Sequence, residues 1–244
     1  MFDSNLYQDF ATKHLVGPFN DVSLLMTAFT HRSYLNEHKK TVSEHNERLE
    51  FLGDAVLELV VTEFLYSNYS EPEGILTNWR SALVRTESIG AAAIRLNFSE
   101  LLRLSRGEKR GTERARDQIL ANCFEAVIGA IYLDQGYDAA EEFITKNILS
   151  TFKTILDTGS WLDPKSRYQE VVQSDEGMTP QYRVLSEDGP DHDKIFTVGV
   201  FVGDSLRAEG QGPSKQHAQQ RAAQKALGQT TAGEIAEQHF PAVD

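Results

Sequence analysis

The chain has 244 residues, of which 40% are hydrophobic and 25% are charged, which is ordinary for a globular protein. This composition excludes a wholly disordered chain, and no apolar run approaches the ~20 residues of a membrane-spanning helix. Cys123 is the one cysteine, which excludes an intramolecular disulfide and favours a reducing, cytoplasmic location. The formal net charge of −12 argues against a nucleic-acid partner, unless local charges differ from the total.

The first part of the chain, residues 1–157, is predicted to be all-helical. No long strand-like alternation interrupts it, and helices of this kind pack into a bundle. Apolar residues recur at helical spacing in three segments, which are residues 47–66, 75–95 and 117–134.

The pattern changes at the polar residues 158–162, which are predicted to be a linker. Residues 163–229 are predicted to form a small α-β-β-β-α domain, and residues 230–244 a tail, so the fold class is α+β overall. The predicted elements of the small domain are a helix at 166–173, strands at 181–186, 195–202 and 206–210, and a helix at 214–227.

Carboxylates line one face of the first periodic helix. At about 100° per residue, Glu47, Glu50 and Asp54 fall within roughly 60° of one another, and Glu58 joins the same stripe. Like charges at this spacing repel, and a hard divalent cation such as Mg²⁺ would relieve the repulsion. A solvated acidic face explains the stripe equally well. Gly53 in the middle of the helix costs about 1 kcal/mol relative to alanine, which indicates close approach of a second backbone.

A second polar pair lies on the helix over residues 117–134. Asn122 and Glu125 are three residues apart and share one helix face, while their apolar neighbours are predicted to be buried. A buried carboxylate needs a partner, whereas a glutamate that reaches solvent does not. The sequence alone leaves both possibilities open for Glu125.

The stretch NERLEFLGD at residues 46–54 resembles the signature of the ribonuclease III family, which are endoribonucleases specific for double-stranded RNA. Supporting similarities to this family lie at residues 30–34, 73–77 and 124–134. The resemblance extends to a double-stranded RNA-binding domain over residues 163–228, chiefly at residues 189–196 and 210–223. It covers residues 5–228 in total.

The resemblance implies a role for each matching acidic position. The implied cation is Mg²⁺, with Mn²⁺ able to substitute, and no small-molecule cofactor is implied. Where the family most often has aspartate, this chain has Asn122, which offers an oxygen but no charge. The implied metal ligands are Glu50, Asp54, Asn122 and Glu125, with Asp54 and Glu125 as catalytic residues and Glu47 and Glu73 as accessory acidic residues.

The second domain carries the residues that the resemblance assigns to RNA contact. Such domains touch two successive minor grooves and the phosphates between them. The implied contacts are Ser166, Gln169 and Gln173 in one groove, His192 in the other, and Ser214 and Lys215 on phosphates at a helix N-terminus. Residues 103–116 form a basic segment in an acidic chain, for which a phosphate contact and a solvated loop are equally good interpretations.

The implied function is Mg²⁺-dependent hydrolysis of double-stranded RNA by a homodimer, in the processing of rRNA precursors and other structured RNA. The products would carry 5′-phosphate and 3′-hydroxyl ends. One alternative is a catalytically weakened double-stranded RNA-binding or ribosome-assembly factor, because of Asn122. A second alternative is an all-α nucleotide pyrophosphatase, against which the second domain argues.

Overall fold

The computed structural model describes residues 4–161, 163–190 and 194–229, and the chain divides into two compact units after Trp161. Within these described residues, the first unit is helical and the second has three strands and two helices, which confirms the predicted α+β class. The helices of the first unit are α1 (Ser4–His14), α2 (Val22–Ala28), α3 (Arg32–Glu37), α4 (Glu47–Asn68), α5 (Glu73–Val84), α6 (Thr86–Arg95), α7 (Glu113–Gln135), α8 (Tyr137–Asn147) and α9 (Phe152–Thr158). The elements of the second are α10 (Pro164–Glu176), β1 (Gln181–Asp188), β2 (Ile195–Val202), β3 (Ser205–Gly212) and α11 (Lys215–Gln229).

Helices α4 and α7 form the centre of the first unit, because each has apolar residues at intervals of three and four. On α7 the apolar residues are buried around much of the circumference, which shows that other helices surround it. The fully buried side chains of α7 include Cys123, Phe124, Val127, Ile128 and Ile131. Cys123 is thus a packed apolar residue, and burial raises the pKa of its thiol.

The two central helices approach most closely at two glycines. A methyl group built on Gly53 would lie 2.7 Å from the carbonyl carbon of Glu125 and 2.8 Å from the backbone nitrogen of Gly129. One built on Gly129 would lie 3.1 Å from the carbonyl carbon of Leu49. The close approach predicted from Gly53 is therefore confirmed, and it places the acidic face of α4 beside Glu125.

The second unit is an antiparallel sheet in the order β1-β2-β3 with both helices on one face. Val200 and Val202 of β2 are buried against Ala222 and Ala223 of α11. Strand β1 extends two residues beyond its predicted end, because Glu187 and Asp188 pair with the start of β2. The sequence pattern had ended this strand at residue 186.

Several sequence predictions fall on other parts of the chain. His192 and the predicted tail lie outside the described residues, while the boundaries at 157 and 162 stay a prediction. In the first unit, Trp161 packs against Trp79 with ring centroids 5.9 Å apart. None of the described helices combines the length and the apolar character needed to cross a membrane.

Candidate active site and RNA interface

Three carboxylates interact electrostatically where α4 and α7 cross. Glu50 and Asp54 lie one helical turn apart on α4, and Glu125 faces them from α7. Burial and repulsion by Asp54 and Glu50 raise the pKa of Glu125 to about 8. The pKa of Glu50 is also raised, by burial and by repulsion from Glu47 and Asp54. The carboxylates therefore disfavour one another's charged forms, and no basic side chain is among the groups that shift the pKa of Glu50 or Glu125.

Asn122 is held in the same cluster by hydrogen bonds on both sides of its amide. Its amide hydrogens donate to the Glu50 carboxylate, which partly offsets the rise in the pKa of Glu50. Its Oδ1 accepts a hydrogen bond of 2.7 Å from Nε2 of Gln118, one turn earlier on α7. These partners fix the orientation of the amide. The sequence interpretation missed Gln118, although its spacing of four residues from Asn122 is a known helix pairing.

The remaining acidic positions divide between the cluster and other partners. Glu47 lies near Glu50 and forms ion pairs with Arg32 (3.5 Å) and, when the imidazole is protonated, His45 (3.9 Å). Glu58, which continues the same helical stripe, binds Arg80 of α5 at 3.1 Å and is not among the charges that shift the pKa of Glu50 or Glu125. Glu73 is exposed in the first turn of α5 and is not among the charges that shift Glu50 or Glu125.

The donor set of the cluster suits a hard divalent cation. Across residues 4–161, 163–190 and 194–229, no group of three or more His, Cys, Asp or Glu side chains is arranged so that it could hold a metal ion. The cluster offers three carboxylates and one amide, all oxygen donors, and Mg²⁺ typically takes few protein oxygens and completes its shell with water. Such an ion would relieve the repulsion that raises the pKa of Glu125. The chemistry of these donors therefore fits the implied cation, which would have to draw the side chains closer together on binding.

The basic segment separates into two parts in the structure. Arg103 lies inside the first unit, where its Nε donates to the Tyr7 hydroxyl (2.9 Å) and its guanidinium covers the Tyr7 ring at 4.9 Å. It also donates to the Thr30 hydroxyl at 3.4 Å. Arg103 is thus a packing residue. Lys109 and Arg110 are exposed on a short turn, where both earlier interpretations stay open.

The predicted RNA-contacting residues of α10 share an exposed face. Ser166, Gln169 and Gln173 are exposed, while Tyr168 and Val172 on the opposite face are buried. The Ser166 backbone and hydroxyl both donate to Asp163, which caps the helix. The described part of the interface therefore offers a polar helix surface, as expected from the spacing of these residues.

The start of α11 holds the other described candidates. The Ser214 hydroxyl accepts a hydrogen bond of 3.3 Å from the backbone nitrogen of His217 and so caps the helix. Lys215, in the first turn, forms an ion pair with Glu187 of β1. This pairing joins residues far apart in the sequence, and the sequence interpretation did not include Glu187.

Two sequence-family models match the chain. The model described as "Ribonuclease-III-like" matches residues 21–152, and the one described as "Double-stranded RNA binding motif" matches residues 164–229. The chain belongs to the ribonuclease III family. The first match covers the helical unit that carries the carboxylate cluster, and the second covers the unit that carries the exposed helix surface.

Curated relatives and solved structures agree with this ribonuclease III assignment. The chain is 45% identical over 210 residues to Ribonuclease 3 of Carboxydothermus hydrogenoformans, covering 86% of this chain and 89% of that one. It is 43% identical over 218 residues to Ribonuclease 3 of Latilactobacillus sakei, covering 88% and 93%. A structure of the nuclease domain of ribonuclease III from Campylobacter jejuni is 37% identical, with a TM-score of 0.51, covering 58% of this chain and 98% of that one.

The assignment decides between the functions that the sequence left open. The chain is an endoribonuclease of the ribonuclease III type, with a nuclease unit and a domain that binds double-stranded RNA. The nucleotide pyrophosphatase alternative is wrong, because both units match ribonuclease III components. The comparisons do not favour a weakened RNA-binding factor over the enzyme.

Proposed function

We propose that this ribonuclease hydrolyses phosphodiester bonds of double-stranded RNA with Mg²⁺ and leaves 5′-phosphate and 3′-hydroxyl ends. The observation that carries the proposal is the electrostatic coupling of Glu50, Asp54 and Glu125 where the backbones of α4 and α7 approach most closely. A bound Mg²⁺ would supply an activated water and neutralise charge on the phosphate oxygens. Mn²⁺ is expected to substitute, since it also accepts carboxylate oxygens.

The side chains of the cluster are proposed to hold the cation and to act in the hydrolysis. Glu50, Asp54, Asn122 and Glu125 are the proposed metal ligands, and Asp54 and Glu125 are the proposed catalytic residues. Glu47 is an accessory residue that contributes negative charge close to Glu50. The proposed accessory role of Glu73 has no support from a contact with the cluster.

The test is cleavage of a perfect RNA duplex by the full chain with Mg²⁺ or with EDTA, beside a single-stranded RNA of the same sequence. We expect metal-dependent cleavage of the duplex only. End chemistry is checked by ligation, which requires a 5′-phosphate and a 3′-hydroxyl. Tight duplex binding without cleavage at any Mg²⁺ concentration would instead support the weakened binding factor.

Replacing Asn122 by aspartate is expected to lower the Mg²⁺ concentration for half-maximal cleavage by about tenfold, because ligand charge raises cation affinity. The same change removes the hydrogen bond to Glu50 and adds repulsion. It should therefore lower the free energy of unfolding in EDTA by about 1 kcal/mol, and the melting temperature by a few degrees. Cleavage is measured across a Mg²⁺ titration, and unfolding is measured by calorimetry in EDTA.

The matched control is Asn36→Asp, the same chemical change at an exposed position of α3. It should alter neither the Mg²⁺ requirement nor the melting temperature. An unchanged Mg²⁺ requirement in the Asn122 variant would show that this position does not contribute to metal binding.

We further propose that the enzyme acts as a homodimer through α4. Phe51 and Tyr66 are both 80% exposed and Leu59 is 56% exposed, although each is large and apolar. At about 100° per residue they lie within roughly 80° of one another and form one stripe. Exposed apolar stripes of this kind mark protein interfaces. One of the Campylobacter jejuni structures concerns flexibility in a region involved in dimer formation.

Phe51→Asp is therefore expected to convert the dimer into single chains of 27.4 kDa, because it places a charge in the apolar stripe. Sedimentation equilibrium measures the mass. The control is Leu6→Asp, which changes an exposed apolar residue of α1 that is 53% exposed. A Phe51 variant that keeps the mass of the unmodified protein would contradict this interface.

In the second unit we propose that Ser166, Gln169 and Gln173 enter one minor groove and that Ser214 and Lys215 bind phosphate. The exposed face of α10 and the capped start of α11 support these roles. His192 keeps its proposed role in the other groove from sequence resemblance alone. The proposed substrates are rRNA precursors and other structured RNAs in the cytoplasm, where a chain with one cysteine stays reduced.

A further inference from the structure

One acidic residue of the second unit lies between two lysines at the proposed phosphate site. Oε1 of Glu187 is 3.0 Å from Nζ of Lys215, and Oε2 is 3.6 Å from Nζ of Lys194. Lys215 begins α11 and Lys194 directly precedes β2. Both lysines hold the pKa of Glu187 below its usual range, chiefly through the hydrogen bond from Lys215.

Glu187 lies on the helix side of the sheet. It pairs directly with Phe196, and residues paired in this way share one face. Phe196 has the same parity along β2 as Val198 and Val200, which are buried under the helices. Nζ of Lys215 also lies 5.4 Å from the centre of the Phe196 ring. The ammonium group is thus flanked by a carboxylate and an aromatic ring.

From this arrangement we propose that Glu187 competes with RNA phosphate for Lys215 and Lys194, and thereby sets the affinity and salt dependence of duplex binding. The inference rests on the duplex-binding role of this domain. A carboxylate and a phosphate oxygen accept the same hydrogen bonds from an ammonium group. The bound carboxylate reduces the net charge of the trio from two positive charges to one.

Glu187 could also position the two lysines for RNA, but this contribution is smaller than its competition with phosphate. An exposed ion pair contributes little to keeping two long side chains in one geometry. In contrast, every change in net charge at the interface changes the attraction between the protein and the phosphates of the duplex. Glu187 is 37% exposed in its side chain, so it remains close enough to the surface to repel an arriving phosphate.

The test is duplex binding by the full chain carrying Glu187→Gln, measured by fluorescence anisotropy in EDTA so that no cleavage occurs. The duplex is longer than the ~16 base pairs that one such domain spans. One additional net positive charge should steepen the slope of log K against log salt by about 0.9. The effect of the added charge on affinity vanishes near 1 M salt. At a tenfold lower KCl concentration, about 0.1 M, the variant should therefore bind the duplex roughly eightfold more tightly than the unmodified chain.

The matched control is Glu209→Gln, which removes the same charge from β3. Its neighbours Ala208 and Gly210 are buried towards the helices, so Glu209 faces the other side of the sheet. Its effect on affinity and slope should be much smaller. In a Lys215→Gln background, the gain from Glu187→Gln should also shrink, because one of the two competing lysines is absent.

Equal affinities of the Glu187→Gln variant and the unmodified chain would overturn the inference. Weaker binding by the variant would overturn it as well and would assign Glu187 to positioning. An equal gain in duplex affinity from Glu209→Gln would also overturn it, because the effect would then come from net charge alone and not from the pairs with the lysines. An unmodified chain that fails to bind duplex would instead refute the RNA-binding role of the domain, which keeps the two failures distinct.

Discussion

Glu125→Gln is expected to slow cleavage of a double-stranded RNA by about a thousandfold at saturating Mg²⁺. Glutamine keeps one oxygen but removes the charge that faces Glu50 and Asp54 from α7. Charge stabilisation by a metal at a phosphate is worth several kcal/mol, and each 1.36 kcal/mol corresponds to tenfold in rate. Single-turnover cleavage of a perfect duplex measures this change, and duplex binding in EDTA should stay as in the unmodified chain.

A stability measurement separates this loss from misfolding. Because the pKa of Glu125 is raised to about 8 in the folded, metal-free protein, the folded state favours the protonated acid. Its contribution to stability is complete below the unfolded pKa near 4.5 and is lost as the pH rises through about 8. Glutamine does not titrate, so the variant should melt no lower than the unmodified chain in EDTA at pH 8.

The matched control for Glu125→Gln is Glu142→Gln, an exposed position of α8. It should cleave at the unmodified rate. A Glu125 variant that cleaves within tenfold of the unmodified rate would show that the carboxylate cluster is not the catalytic centre. A variant that loses both cleavage and thermal stability would point to a structural role instead.

Gly53→Ala should destabilise the first unit by about 2 kcal/mol or more, which corresponds to a fall of roughly 4–8 °C in melting temperature. The added methyl group meets the backbone of Glu125 and Gly129, and a backbone cannot rotate away as a side chain can. The better helix propensity of alanine, about 1 kcal/mol, only partly offsets the overlap. Separating the helices also moves Glu50 and Asp54 away from Glu125, so cleavage should fall.

Gly74→Ala supplies the comparison, because a methyl group there meets nothing within 4 Å. Gly74 lies in the first turn of α5, and alanine should leave stability unchanged or raise it slightly. Calorimetry of both variants under identical conditions measures the difference. If the Gly53→Ala and Gly74→Ala variants had the same melting temperature, the close approach of α4 and α7 at Gly53 would not contribute to stability.

Helical periodicity was sufficient to predict the two helices that carry the site. The stripe of Glu47, Glu50 and Asp54 follows from spacing alone, and Gly53 indicated the close approach that the structure shows. Glu58 continues the same stripe but binds Arg80. Periodicity could not reveal this, because it describes one helix and not the charges of the helix packed against it.

Strand ends were less predictable than strand positions. The predicted first strand of the second unit ended at residue 186, yet the polar residues Glu187 and Asp188 both pair with β2 and extend β1. Backbone hydrogen bonding across the pair continues whether a side chain is polar or apolar. The end of a strand therefore depends on its partner, which a local pattern does not contain.

The sequence by itself determined the family, the helical character of the first unit, the order of elements in the second and the helix faces on which the acidic and the proposed RNA-contacting residues lie. These properties depend on local periodicity and on short motifs. The tertiary structure alone decided which polar and charged groups are partnered: Asn122 with Glu50 across two helices, and Glu187 with Lys215 and Lys194 in the second unit. Such pairs join residues distant in the chain, so packing of the elements must bring them together before their charges can interact.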